Sequence, residues 1–165
     1  WEGDTVIGKG HQGVLVTLVE RKSRYTLAQQ LDSRHSAGVT EAVIALLRPH
    51  KSLCQTITFD NGKEFAEHAF IADSLGANVY FAHPYHSWER GLNENTNGLL
   101  RRVLPKSSDL GIYTQEQLDA IAFHHNAKPR KSLGWKSPSE LFLPEGAFDF
   151  QAYWSNLIRP VALGT

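Results

Sequence analysis

Residues 58–65 read TFDNGKEF and residues 88–101 read WERGLNENTNGLLR. The first stretch follows a short β-branched run, TITF, and sets Asp60 at the end of a strand, ahead of an Asn-Gly turn. The second sets Glu94 on the polar stripe of an amphipathic helix. A third acid, Asp4, sits in the opening strand WEGDTVIG. Two aspartates on strands and a glutamate on a later helix can converge on a divalent metal ion, and that constellation suits phosphodiester chemistry.

Around these stretches strands and helices alternate in a readable order. Residues 4–8, Val14–Val19 and residues 25–31 predict three strands, joined by turns at Gly10, Gly13 and the charged ERKSR segment. Their close spacing suits an antiparallel meander. Ser36–Leu47 repeats Val39, Val43, Leu46 and Leu47 at helical spacing, and Pro49 ends it. Strand Thr56–Phe59, a helix over residues 65–75 closed by Gly76, and a strand over residues 78–82 follow. A long helix is predicted over residues 88–104 before Pro105, another over residues 114–126, and a short one from Ser137 or Pro138 to Phe142. Three strands followed by strands alternating with helices indicate an α/β fold, a mixed five-stranded sheet with helices on both faces. Residues 1–145 form the expected core, and residues 146–165, where the pattern weakens, form a docked or mobile tail.

Composition narrows the function classes. The 165 residues suffice for one domain with a substantial core. No apolar run approaches the length that spans a bilayer, and no signal peptide is present, so no membrane partner is expected. Cys54 is the sole cysteine, which excludes intrachain disulfides and a cysteine-rich zinc site. Opening on Trp1 without a methionine suggests a piece of a longer chain. Seventeen basic and seventeen acidic residues cancel, which argues against a protein that only coats nucleic acid. The bases nonetheless gather late, at Arg101, Arg102, Lys106, Lys128, Arg130, Lys131 and Lys136.

Each acid has a plainer explanation beside the catalytic one. Asp-Asn-Gly is a common turn, which by itself accounts for Asp60. Asp4 can face water on an alternating strand. Glu94 is better supported: Leu92, Thr96, Leu99, Leu100 and Val103 fall on one helical face, leaving Arg90, Asn93, Glu94, Asn97 and Arg101 on the other. That second face is rich in groups that bond phosphate. Glu2, Glu64, Glu89, Asp32 and Asp73 compete for the same roles, with Glu64 best placed at a surface or a helix N-terminus. Oxygen ligands favour Mg²⁺ or Mn²⁺ over zinc, and two ions roughly 3.5–4 Å apart can serve an in-line displacement.

These residues resemble the catalytic domain of DDE transposases, which share the RNase H-like fold with retroviral integrases, and most closely bacterial insertion-sequence family thirty. The resemblance rests on WEGD at residues 1–4, LVERKSRY at 18–25, TFDNGKEF, FAHPYHSWERGLNENTNGLLRRVLPK at 81–106, and HNAKPRKSLGWKSPSELF at 125–142. The 33 residues between Asp60 and Glu94 match that family's interval. The resemblance implies a metal-binding catalytic triad of Asp4, Asp60 and Glu94, DNA as the partner in the form of element ends and target DNA, a homo-oligomeric active state, and a cytoplasmic, nucleoid-associated location. It also implies an amino-terminal helix-turn-helix region that this sequence lacks.

Arg90 and Arg101 are candidate phosphate ligands. Asn93 and Asn97 either contact the DNA backbone or serve packing. Lys128, Arg130 and Lys131, with Lys136 and Trp135, form a basic segment that can lie along DNA, or else a charged loop with Trp135 tucked into the core. His83 and His86 lack a third ligand for zinc, and GKGHQG lacks phosphate-loop spacing. Three functions remain open: a metal-dependent polynucleotidyl transferase, an RNase H-like nuclease that never joins strands, and a catalytically silent DNA-binding or assembly module. A two-carboxylate glycosidase is remote.

Overall fold

Strand β2 (Val14–Val19) is buried along its whole length, because both faces of the sheet are covered at its centre. The computed structural model describes residues 1–83, 86, 91–106, 108–153 and 155. β1 (Glu2–Ile7) and β3 (Thr26–Leu31) flank β2 in antiparallel pairing, and β4 (Thr56–Phe59) and β5 (Asn78–Phe81) extend the sheet beyond β1 in parallel. The strand order is β3-β2-β1-β4-β5. This is the expected mixed five-stranded sheet, with the first strand at its centre.

Alternation along the strands divides the core in two. On one face Val16, Leu18, Ile57 and Phe59 pack with Val39, Val43 and Leu47 of α1 (Ser36–Leu47) and Ile71 and Leu75 of α2 (His68–Leu75). On the other face Val6, Leu15 and Ala28 pack with Leu100 of α3 (Gly91–Leu100) and Leu118 of α4 (Gln115–Ala127). Thr17 is the one polar side chain in β2, and it lies fully buried on the α3 face.

Caps and turns match their sequence signals. Thr114 and Gln117 form a capping box at the start of α4, and Ser137 and Glu140 another at α5 (Pro138–Phe142). Gly76 ends α2 at φ 65, the left-handed conformation that a residue without Cβ adopts freely. α4 also protects the edge strand β3. Asn126 bonds both the N–H and the C=O of Thr26, at 2.9 and 2.8 Å, and Gln115 does the same for Gln30 N–H and Ala28 C=O at 3.1 and 3.0 Å. The two amides mimic a neighbouring strand and leave this edge less open to pairing with another chain.

Two helix boundaries depart markedly from the sequence reading. α2 begins at His68, not residue 65, because Lys63–Phe65 closes a separate 3₁₀ turn. α3 ends at Leu100, and the chain then tightens through Arg102 N–H to Leu99 O (3.2 Å) and Val103 N–H to Leu100 O (3.0 Å) before Pro105. The expected start of that helix at residues 88–90 lies outside the described residues. Within the expected tail, Phe148 and Tyr153 pack against Phe123 of α4, with ring centroids 6.0 and 5.2 Å away, and Tyr153 meets His124 Nδ1 at 2.6 Å. Residues 156–165 lie outside the described residues. Among those described, no helix is long and apolar enough to cross a membrane.

Candidate active site

Asp4 lies on β1, and Asp60 follows directly on the end of β4, the parallel neighbour of β1. Glu2 of β1 pairs with Thr58 of β4 in parallel register, and Asp4 and Asp60 each lie two residues further along their chains, Asp60 just past the end of β4. Parallel neighbours sit roughly 4.8 Å apart. Ile57 and Phe59 belong to the α1/α2 core, so alternation turns Asp60 to the opposite face, where α3 crosses. β4 ends at Phe59, whose carbonyl accepts from Ala82 N–H at 2.8 Å, and Asn61 Nδ2 donates to Ala82 O at 2.8 Å. These bonds tie the Asp60 turn to the end of β5. Asp60 Oδ1 accepts the Gly62 N–H at 2.9 Å.

Asp4 is held from both sides. Its Oδ1 accepts the Thr5 N–H and its Oδ2 accepts the Asn97 side-chain amide, each at 2.9 Å. Thr17, directly across from Asp4 in the β1–β2 ladder, places its hydroxyl 2.9 Å from Asn97 Oδ1 and 3.2 Å from Asn93 Oδ1. A hydroxyl has one proton to give, so it bonds these oxygens one at a time. The lone threonine in an otherwise apolar strand was a visible signal that a polar partner crosses here.

Glu2 anchors the start of α3. It is 2% exposed, its Oε2 accepts the Asn93 backbone N–H at 3.0 Å, and its Oε1 receives Arg21 Nε at 2.8 Å. A carboxylate on a first-turn N–H satisfies an orphan donor and meets the positive end of the helix dipole. Glu94 follows Asn93 by one residue and is exposed. Among the described residues, no three His, Cys, Asp or Glu side chains lie close enough together to hold a metal. Asp4, Asp60 and Glu94 are accordingly not gathered into one such group.

The polar stripe expected on α3 is redistributed. Its inward face carries Asn93, Thr96 and Leu100, and Asn93 is wholly buried, which removes it from any DNA-facing surface. The cause is the sheet below, which presents Glu2, Asp4 and Thr17, so asparagines rather than leucines complement it. Asn93 Nδ2 has no hydrogen-bond partner among the described residues. Val103, expected in the core, is 54% exposed because α3 has already ended. Arg101 turns its guanidinium back to Ile7 O at 2.6 Å and to Leu104 O and Pro105 O at 3.4 Å, fastening α3 to the end of β1. Burial lowers its pKa below that of a free guanidinium. Arg90 lies outside the described residues.

Glu64 was expected at the surface and is instead buried. The 3₁₀ turn at Lys63–Phe65 packs on α1 and points it inward, where it accepts the Thr5 hydroxyl at 2.8 Å and pairs with Arg34 at 3.5 Å. Asp60 and Glu64 both crowd the position a Cβ on Gly62 would take, with Asp60 Oδ1 2.8 Å from it. A side chain there would push these carboxylates aside.

The basic segment divides by use. Lys128 and Lys131 are exposed, whereas Arg130 lies over the His125 ring, 3.1 Å from Nε2, and donates to His125 O at 3.0 Å. Burial, then the neighbouring Arg24, lowers the Arg130 pKa. Burial also pushes the His125 imidazole down to about 4, assisted by Arg130, Lys128 and His124. Trp135 is 69% exposed, so it does not belong to the core.

The chain is similar to several known proteins. The chain is 46% identical over 145 residues to the transposase for insertion sequence element IS1086 of Cupriavidus metallidurans, an alignment covering 86% of this chain and 42% of that protein. It is 45% identical to the transposase for IS4351 of Bacteroides fragilis (86% and 43% covered) and 43% identical to transposase InsI for IS30A of Escherichia coli K12 (86% and 37%). The chain thus spans less than half the length of these curated relatives. In three dimensions it resembles a chain of a simian T-cell lymphotropic virus intasome determined with PP2A regulatory subunit B56 gamma, with TM-score 0.73, 22% identity, and 90% of this chain and 55% of that one covered. That likeness establishes the RNase H-like fold. The integrase core domain matches residues 1–87, more than half of the chain, and the chain belongs to that family.

Proposed function

We propose that this chain is the catalytic core of a DNA transposase, a polynucleotidyl transferase that hydrolyses a phosphodiester at an element end and joins the freed 3′ hydroxyl to target DNA. The observation that carries this reading is the placement of Asp4 on β1 and of Asp60 just past the end of its parallel neighbour β4, with the helix bearing Glu94 held to Asp4 through Asn97. The transposase names of relatives sharing 43–46% of their residues with this chain support it.

Three carboxylates form an oxygen-only donor set, which fits Mg²⁺ or Mn²⁺. Asp4, Asp60 and Glu94 would hold the metal, two ions in all, which when bound supplies Lewis-acid activation of the attacking oxygen and charge stabilisation at the leaving one. The chain's own residues supply position. Asn97 and the Thr5 N–H fix the Asp4 carboxylate, the Gly62 N–H fixes Asp60, and Glu2 fixes the helix turn from which Glu94 extends. Lys128 and Lys131 supply exposed charge for DNA phosphates. Transfer between two DNA ends calls for at least two copies of the protein, working on DNA in the cell.

Oligonucleotide cleavage and strand-transfer assays with Mg²⁺ or Mn²⁺ test the reading. Asp60→Asn abolishes both steps while circular dichroism stays that of the wild type. Retained strand transfer in that variant overturns it. Cleavage without joined product in the wild type identifies a nuclease, and DNA binding indifferent to both EDTA and Asp60→Asn, with no cleavage, identifies a silent module.

A further inference from the structure

Trp135 sits at the tip of a turn that ties itself closed. Arg130 N–H bonds Lys136 O at 3.0 Å, Trp135 N–H bonds Arg130 O at 2.9 Å, and Gly134 N–H bonds Lys131 O at 3.2 Å. The turn is fixed at its base as well, by Arg130 on His125 before it and by the Ser137 cap of α5 after it. Gly134 and Trp135 are both left-handed, at φ 63 and 66. That conformation is strained for a bulky residue, and glycine or asparagine would make the same turn at less cost. Burial does not explain the tryptophan, because the ring is 69% exposed.

The surroundings indicate what the ring meets. From Ala127 to Ser139 the chain carries Lys128, Arg130, Lys131 and Lys136 and not one acid, although the whole chain is neutral. Lys128, Lys131 and Lys136 are exposed. A groove of about 420 Å³, lined by Leu99, Val103 and Ile121 with Arg102, Lys128 and Arg130, lies beside the base of this turn. A rigidly presented aromatic face among cations fits single-stranded nucleic acid, whose phosphates follow the cations while a base stacks on the ring.

We propose that Trp135 is a stacking wedge that receives an unpaired base of the DNA strand lying along Lys128, Lys131 and Lys136. The inference rests on the DNA-processing reading above and adds a residue to it. It concerns binding, so it is separable from catalysis.

The test is fluorescence anisotropy in EDTA, with a labelled duplex bearing a single-stranded overhang and a blunt duplex of the same sequence. Trp135→Ala weakens overhang binding roughly 5- to 150-fold and leaves blunt-duplex binding unchanged, while Trp135→Phe retains most of the affinity. A thermal melt accompanies each variant, and Trp135→Phe decides the matter if the alanine variant does not fold. Equal affinity of wild type and both variants for overhang DNA overturns the wedge, as does an equal loss on both duplexes. A change in oligomeric state without a change in DNA affinity also overturns it and assigns the ring to a protein contact. A wild-type chain that binds neither duplex overturns the DNA-processing reading itself.

Discussion

The Asn97 side-chain amide donates to Asp4 Oδ2 at 2.9 Å, joining the helix that carries one candidate catalytic acid to the strand that carries another. Thr17 completes the junction from β2. Asn97→Ala removes the amide and with it one of the bonds that orient the Asp4 carboxylate. Groups that orient a metal-binding carboxylate typically contribute 10- to 100-fold in affinity or activity. Mn²⁺ affinity, measured by titration calorimetry, falls by roughly that factor in Asn97→Ala, with Asn97→Asp worse because it sets a second carboxylate against Asp4.

Glu2 is expected to act on stability as well as placement. Glu2→Ala strips a partner from the Asn93 N–H and costs about 1–3 kcal/mol in urea unfolding. Arg21 adds little, because its half-exposed guanidinium regains water. Glu2→Gln, which keeps an acceptor oxygen, loses less than the alanine variant.

Gly3 separates Glu2 from Asp4 because nothing larger fits. A Cβ there would overlap the Phe59 ring, itself stacked on Phe65 with centroids 4.1 Å apart. Gly3→Ala costs about 1–3 kcal/mol by overpacking. It also displaces the residue preceding Asp60, so cleavage falls further than stability alone explains. Chemical unfolding and the cleavage assay together check this.

His125 makes stability depend on acid. Its folded pKa, about 4, lies below the ordinary 6.5, so the unfolded chain binds a proton that the folded chain refuses. The contribution is fully present above pH 6.5 and is lost as pH falls from 6.5 toward 4, up to about 3 kcal/mol in all. His125→Gln flattens the dependence of the urea midpoint across that window. An unchanged slope in the variant contradicts the assignment.

Much of the frame was legible in the sequence. TITF before Asp60 and VLVTLV gave strand bounds that the structure matches, because β-branched runs between turn residues leave little choice. Ser36–Leu47 was readable from its apolar spacing and Pro49. The face of α3 was misread. Periodicity ranks residues by hydrophobicity and assumes an apolar surface underneath, whereas the sheet under α3 offers Glu2, Asp4 and Thr17. Asn93 is buried for that reason and the leucines yield to it. Glu64 was misplaced for a related reason, since its partners Thr5 and Arg34 are remote in sequence and only the fold brings them near. Arg101 and Arg130 looked like phosphate ligands by residue type, yet both are occupied with backbone carbonyls.

Anomalous scattering from crystals of the chain grown with Mn²⁺ tests the metal-site claim most directly. The predicted result is a peak bound by Asp4 and Asp60, with Glu94 turned in from α3 to join them. A well-ordered cleft with no peak between the two aspartates, or a peak held by other residues, contradicts it.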